Sequence, residues 1–238
     1  MVIRAAIEAF LHLGADKVIV GEGPGHSRDS LRVIEEVGLL DILSEDRIPF
    51  VDLNQDDLVT VVNLNKASSL SMLTMPSIIR QVDWIVSMPK MKTHHWTGVT
   101  LSMKNLFGIM PGIVYGWPKN VLHHAGINGC ILDITAAVKP SLAIVDGIIG
   151  MEGDGPILGA PRYAGVIVIG QNLPAVDSTC VRIMGYDPWN VSYLREASIN
   201  LGQIREDLIK QRGETITSVM KKFQLENNIP AHRKLLRI

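Results

Sequence analysis

The stretch that decides the fold is "SLAIVDGIIGMEGDGPILGAPRYAGVIVIG", residues 141–170. Two runs rich in β-branched residues flank a glycine-rich segment, and β-branched side chains favour strands. Helical patterns lie on both sides, "INGCILDITAAV" (127–138) before the stretch and "LPAVDSTCVRIMGY" (173–186) after it. We therefore predict two strands joined by a long loop and flanked by helices, as in α/β proteins.

The rest of the sequence continues this alternation. We predict a mostly parallel sheet flanked by helices, in a single domain 1–238 with a core of about 1–213 and a peripheral C-terminal segment 214–238. The chain opens directly on a helix, although a parallel sheet needs a strand on each side of a crossover helix. The first strands of a longer domain are therefore expected to be absent or supplied from elsewhere. The other predicted helices span 3–13, 27–40, 71–80, 97–110 and 188–202, and the other strands lie within 16–25, 47–54, 58–64 and 82–90.

Composition restricts the classes of partner. The 238 residues include 23 basic and 24 acidic side chains, a balance that favours neither nucleic acid nor an anionic membrane as partner. No run of about 18 apolar residues indicates a transmembrane helix. The cysteines, Cys130 and Cys180, are too few for a four-cysteine cluster and are typical of buried thiols in a reducing compartment. We expect a cytoplasmic protein with a small-molecule ligand.

A candidate site lies in "SMPKMKTHHWTGVTLSMKNLFGIMPG", residues 87–112. Lys90 and Lys92 leave the end of a predicted strand at alternate positions, so they share one face. Thr93 or Thr97 is expected to cap a following helix, whose free N–H groups favour an anion. The alternative is a solvated, cationic surface.

The predicted helix carries a polar stripe. Thr97, Thr100 and Lys104 are spaced i, i+3, i+7, and Asn105 follows Lys104. A desolvated Lys104 is expected to act as nucleophile or fixed positive charge. His94 and His95 are expected to transfer protons near neutral pH.

The glycine-rich loop after residue 145 supplies acids that are expected to close this site. Asp146 ends a strand, and Glu152 follows in the loop between glycines. An Asx-type turn with solvent-facing acids is the alternative. Asp177 is interpreted as completing the dipole of its own helix. The predicted catalytic residues are His94, His95 and Lys104, and the predicted ligand-binding residues are Lys90, Lys92, Thr97, Thr100, Asn105, Asp146, Glu152, Gly153 and Gly155.

Two further features leave alternatives open. "VGEGPG" (20–25) places three glycines between a strand and a helix, which fits either phosphate binding or a tight turn. His123 and His124 form a second imidazole pair, which fits either a metal site shared with His94 and His95 or loop packing. Neither the metal nor any cofactor is assigned by the spacing.

Four separated motifs together resemble the family catalogued as domain of unknown function 362: "VGEGPG", "PKMKTHHWTGVTLSMKNLFGIMPG", "IVDGIIGMEGDGPILGAP" and "LPAVDSTCVRIMGYDP". The resemblance covers residues from the first helix to about Gly213. Members are often described as iron–sulfur proteins because many carry a ferredoxin module, which needs cysteine runs that this sequence lacks. The resemblance implies the fold and an iron–sulfur protein as partner. A homo-oligomer is the alternative expectation for this chain.

A fainter pattern is similar to the active site of lactate racemase and its relatives. It consists of His94 and Gly98, then Lys104, then Pro111-Gly112, then a later histidine. That family uses a nickel-pincer nucleotide on a lysine, with histidines as proton shuttles. Leu101 and Ser102 stand here where the family has paired glycines. The resemblance implies a racemase-, isomerase- or redox-like enzyme, and the alternative is a noncatalytic binding or assembly module.

Overall fold

The computed structural model describes residues 1–236. The chain forms two compact units. The first comprises Met1–Val62, Ser71–Val82 and Phe107–Ala125, and the second comprises Asn63–Leu70, Asp83–Leu106 and the residues from Gly126 onward. The assignment of one domain, 1–238, stays a prediction, and its last two residues lie outside the described part.

Helices and strands alternate, which confirms the α/β class. The helices are α1 (Val2–His12), α2 (Ser30–Glu36), α3 (Leu39–Glu45), α4 (Ser102–Asn105), α5 (Gly112–Tyr115), α6 (Asn120–His124), α7 (Ile127–Val138), α8 (Leu173–Ile183), α9 (Ser192–Ala197), α10 (Ile216–Val219) and α11 (Pro230–Leu235). The strands are β1 (Val20–Glu22), β2 (Phe50–Asp52), β3 (Leu58–Val62), β4 (Met72–Pro76), β5 (Val86–Ser87), β6 (Lys90–His94), β7 (Gly98–Thr100), β8 (Leu142–Glu152) and β9 (Ala160–Gly170). Short 3₁₀ turns occupy Ser77–Arg80, Leu106–Ile109, Pro188–Asn190 and Glu206–Leu208.

The first unit is built around α1, α2 and α3. Ile7, Ile34 and Leu43 form its buried core beside the parallel pair β1–β2. Asp29 caps α2 by accepting from the N–H groups of Leu31 and Arg32.

The helix predicted at 71–80 is wrong. Residues 72–76 form β4, which pairs antiparallel with β3. Leu73 and Met75 are buried at alternate positions, so the apolar pattern has the period of a strand and not of a helix.

The second unit contains a five-stranded sheet. β8 pairs with β5 at residues 142–143, with β6 between residues 146 and 151, and with β9 along nearly its whole length. β7 pairs with β6. β8 runs parallel to β5 and β6 but antiparallel to β9, and β6 and β7 form an antiparallel hairpin. The sheet is therefore mixed, whereas the sequence predicted a mostly parallel one. The helix predicted at 127–138 is confirmed as α7, which is buried over most of its surface.

Asp133, in α7, fixes the segment 63–70 of the second unit. Its carboxylate accepts from Nδ2 of Asn63 (2.7 Å) and of Asn65 (2.9 Å). It also accepts from the main-chain N–H groups of Ala67 (2.8 Å) and Ser68 (2.9 Å) and from the Ser68 hydroxyl (2.6 Å). One buried carboxylate thus accepts five hydrogen bonds from the segment.

The C-terminal segment, predicted to be peripheral, contributes buried side chains. Ile216, Phe223, His232 and Leu235 are each less than 9% exposed. No helix within residues 1–236 combines the length and apolar character that crossing a membrane requires.

Candidate functional site

The predicted site residues all lie in the second unit, but the local structure differs from the prediction. Residues 97–100 belong to the β6–β7 hairpin and not to a helix. Gly98 has a φ of +83°, which disfavours a helix, and the β-branched Val99 and Thr100 fit a strand. The Thr97 hydroxyl donates to the Val99 carbonyl (2.9 Å), so Thr97 closes the turn instead of capping a helix.

One face of β6 carries the predicted cations. Lys90, Lys92 and His94 alternate along the strand, and Lys92 lies directly opposite Thr100 of β7. The Lys90 ammonium lies 2.7 Å from Oδ2 of Asp146, which is its neighbour in the parallel pairing with β8. The strand and the downstream segment therefore meet at this ion pair. Because the Lys90 side chain is 55% exposed, the pair adds little stability.

Thr100 is the unusual member of this face. It is 8% exposed, and within the described residues its hydroxyl has no hydrogen-bond partner. Buried polar groups are nearly always paired in native proteins, so an orphaned hydroxyl needs an explanation.

His94 and His95 adopt opposite tautomers in their neutral forms. Nδ1 of His95 lies 2.9 Å from the carbonyl oxygen of Gly155, which only accepts, so Nδ1 carries the proton and Nε2 is the lone-pair acceptor. Nδ1 of His94 accepts from the main-chain N–H of Trp96 (3.0 Å), so His94 carries its proton on Nε2. The ring centroids are 4.9 Å apart. Nε2 of His95 is thus a base, and Nε2 of His94 carries a proton.

The loop glycines shape the main chain beside the histidines. The Thr93 hydroxyl donates to the Gly153 carbonyl (2.7 Å), and the His95 N–H donates to the Gly155 carbonyl (2.9 Å). A Cβ on Gly155 would lie 2.1 Å from the Thr93 carbonyl oxygen, so only glycine fits. Both predicted ligand-binding glycines therefore have a structural role in joining the loop to β6.

Glu152 is directed elsewhere. Its buried carboxylate accepts from the Gln224 N–H (2.9 Å) and lies 3.5 Å from Nε of Arg162. These contacts attach the C-terminal segment to the end of β8. They do not bring Glu152 to Lys90 or to the histidine pair.

Lys104 and Asn105 form a second group, in α4. Lys104 is buried, and Asn105 donates to the Ser87 hydroxyl (3.2 Å), which donates to the Ser102 carbonyl (2.8 Å). These bonds attach α4 to β5 of the sheet. Asn105 thus has a structural partner at the position where the sequence predicted a ligand contact.

Asp177 caps α4 from a distant helix. Its carboxylate accepts from the N–H (2.8 Å) and hydroxyl (2.5 Å) of Ser102 and from the N–H of Met103 (3.0 Å). Burial raises the pKa of Asp177 to about 7, against the opposing effect of these hydrogen bonds. The interpretation that Asp177 serves the dipole of its own helix is therefore wrong.

His232 is a site residue that the sequence did not reveal. It is fully buried in α11, and its Nδ1 accepts from the Glu226 N–H (3.0 Å). Burial lowers its pKa, while the main chain of His94 and the Asp154 carboxylate act to raise it. The His94 main chain is close, but Nε2 of His232 has no partner with hydrogen-bond geometry in the described residues. The isolated histidine in a charged C-terminal segment gave no sequence signal.

Lys119, also missed, lies in the first unit. Its ammonium donates to the carbonyls of Phe107 (2.8 Å), Gly108 (3.0 Å) and Gly23 (3.1 Å). Burial lowers the pKa of Lys119 to about 8, against the opposing effect of Glu22. The glycine-rich segment 20–25 is thus held by a buried cation of the chain itself.

The structure does not support the predicted metal site at the two histidine pairs. Within residues 1–236, no group of three or more histidine, cysteine, aspartate or glutamate side chains is arranged to hold a metal ion. Both cysteines are free thiols and are buried.

Comparisons with known proteins agree with the motifs. The chain is 30% identical over 188 residues to a protein from Synechocystis sp. (strain ATCC 27184 / PCC 6803 / Kazusa) named "Thylakoid-associated protein sll1697". The match covers 78% of this chain and 57% of that relative, so the chain spans little more than half of the relative's length. No solved structure matches the chain. The family described as "Domain of unknown function (DUF362)" matches residues 1–182, and the chain belongs to this family.

Proposed function

We propose that the second unit binds a small anionic ligand where Lys92 and Thr100 face each other across β6 and β7. The observation that carries the proposal is the buried Thr100 hydroxyl, which lacks a partner within the described residues. Side chains directly opposite in an antiparallel pair have Cβ atoms about 5 Å apart, so one ligand oxygen can meet both. The ammonium supplies charge and the hydroxyl supplies a directed donor.

Lys90 has a lesser part in this proposal. Its charge is offset by Asp146 at 2.7 Å, so a bound anion gains little attraction from Lys90. The pair instead orders the β6–β8 edge of the site.

The histidine pair supports an enzymatic form of the proposal. His95 is partly exposed and presents a lone pair at Nε2, while the adjacent His94 carries a proton at Nε2. His95 is thus suited to remove a proton from a carbon acid and return it, as in an isomerase, with the buried His94 beside it. The cytoplasmic location expected from the sequence stays a prediction, because the relative is named for association with thylakoids.

Phosphate binding tests the anion site. Inorganic phosphate, titrated by calorimetry, is expected to bind the wild type and to bind Thr100→Val at least about tenfold more weakly, since a hydrogen bond to a charged group contributes about 1.5–3 kcal/mol. Valine keeps the shape of threonine and removes the orphaned hydroxyl, so the variant should be no less stable than the wild type. Thr60→Val is the matched control, because the Thr60 hydroxyl is already paired with Thr74 in another sheet.

Equal phosphate affinity in the wild type, Thr100→Val and Lys92→Met would refute the anion site. The enzymatic form is tested separately with L-lactate in D₂O, where proton NMR is expected to show loss of the α-proton signal in the wild type and not in His95→Gln. Phosphate binding without any α-proton exchange would favour the noncatalytic binding module.

A further inference from the structure

β9 forms one edge of the five-stranded sheet. It pairs with β8 along its length, and within the described residues it pairs with no other strand. An edge strand presents main-chain N–H and C=O groups that can pair with another chain.

The direction of these groups follows from the register. The N–H of Asp146 donates to the Pro89 carbonyl (2.9 Å), so the main-chain groups of Asp146 point toward β6 and away from β9. Asp146 lies opposite Ile167 of β9. In an antiparallel ladder, the main-chain N–H and C=O groups of two opposite residues point either toward each other or away from each other. The main-chain groups of Ile167 therefore point away from β8, and so do those of Ile169, two residues later. Outside the β8–β9 ladder, no main-chain hydrogen bond of Ile167 or Ile169 is found in the part of the chain that the structure describes.

The outer stretch of β9 is also apolar. Ile167 is 47% exposed and Ile169 is 61% exposed, and no charge occurs between Tyr163 and Gly170. Natural edges are usually protected by charged residues, proline or a bulge. Here such features lie only at the start of the strand, where Pro161 and Arg162 occur and Gly165 adopts a φ of +71°. Residues 166–170 remain a neutral edge without proline.

We propose that this edge pairs antiparallel with β9 of a second copy of the chain. A two-fold axis near Val168 places Ile167 of one copy opposite Ile169 of the other. By the same symmetry, Ile169 of the first copy lies opposite Ile167 of the second. The outward groups at both positions then exchange main-chain hydrogen bonds, and isoleucine meets isoleucine on the exposed face. The edge is complementary to itself because its two bonding residues are identical and uncharged. Since only a short stretch pairs, the interface is smaller than a standard one and the dimer depends on protein concentration.

Sedimentation velocity over a wide range of protein concentrations tests the dimer. The wild type is expected to pass from monomer to dimer as concentration rises. Ile167→Pro removes an outward N–H while keeping the ladder with β8, so it is expected to raise the dimer dissociation constant more than about tenfold. Leu158→Ser is the control, because Leu158 is an exposed apolar residue (80%) in the preceding loop, and it should leave the dimer unchanged.

Ile169→Lys is a second variant in case proline disturbs folding, which circular dichroism would reveal. It places a charge on the edge and is likewise expected to give a monomer. A wild type that is monomeric at every concentration overturns the proposal and leaves the edge to a strand from another protein. A dimer that persists in both edge variants but is lost in Leu158→Ser also overturns it, in favour of an apolar contact through the loop.

Discussion

Replacing Asp133 with alanine is expected to lower the free energy of unfolding by about 3 kcal/mol or more, because several hydrogen bonds to a charged group are lost and each contributes about 1.5–3 kcal/mol. The lost carboxylate is buried and accepts from the buried Asn63 and from the more accessible Asn65, Ala67 and Ser68. Urea denaturation, followed by circular dichroism, measures the loss.

The pKa of Asp133 gives this prediction a second readout. Burial acts to raise the pKa, but the hydrogen bonds from Ser68, Ala67, Asn65 and Asn63 together outweigh burial, so the pKa lies below its ordinary value. A lowered folded-state pKa stabilises the protein above the unfolded-state pKa, and the stabilisation disappears as pH falls through the folded-state value. The stability difference between the wild type and Asp133→Ala should therefore shrink in strong acid.

Asp29→Ala is a suitable control for Asp133→Ala. Asp29 accepts two main-chain hydrogen bonds as the cap of α2, but it is exposed, so its loss is expected to cost about 1 kcal/mol. A cost for Asp133→Ala no larger than that of Asp29→Ala would show that water replaces the carboxylate in segment 63–70.

The sequence predicted correctly those elements whose apolar pattern fits only one type of secondary structure. α7 was predicted at its observed bounds because it is apolar on all sides, and no alternating strand pattern competes with it. β8 and β9 were predicted from their β-branched runs, but β8 continues to Glu152, so the part of the predicted loop between Asp146 and Glu152 is strand instead. The hairpin at Gly98 was missed because Thr97, Thr100 and Lys104 match helical spacing by chance, and the positive φ of Gly98 is not visible in composition.

The candidate site was predicted in part for a similar reason. Lys90 and Asp146 meet because β6 and β8 are neighbours in the sheet and pair at these residues, although Asp146 lies inside β8 and not at the strand end that the sequence predicted. The orphaned hydroxyl of Thr100, the buried His232 and the capping role of Asp177 depend on contacts between distant segments. No local spacing encodes such contacts, so sequence reasoning could name Thr100 but could not explain why it matters.

The second large effect expected is a fall in stability as pH rises through the pKa of Asp177, about 7. Between about pH 4 and pH 7, the Asp177 carboxyl group is protonated in the folded state. In the unfolded state it loses its proton near the ordinary carboxyl pKa of about 4. The unfolded state thus binds fewer protons in this window, so the free energy of unfolding decreases with pH there. A shift of about three pH units corresponds to about 4 kcal/mol, because each unit is worth about 1.4 kcal/mol.

Asp177→Asn isolates the effect, because the amide stays neutral while all other titrating groups are shared with the wild type. The difference in unfolding free energy, wild type minus variant, is expected to fall between pH 4 and pH 8 and then to level off. Ser102→Ala removes a donor that acts to lower the Asp177 pKa, so it should move the midpoint of the wild-type curve to higher pH. A flat difference curve would mean that the carboxylate stays ionised throughout. In that case the three donors at the start of α4, and not burial, control the charge of Asp177, and the cap would stabilise the fold at neutral pH.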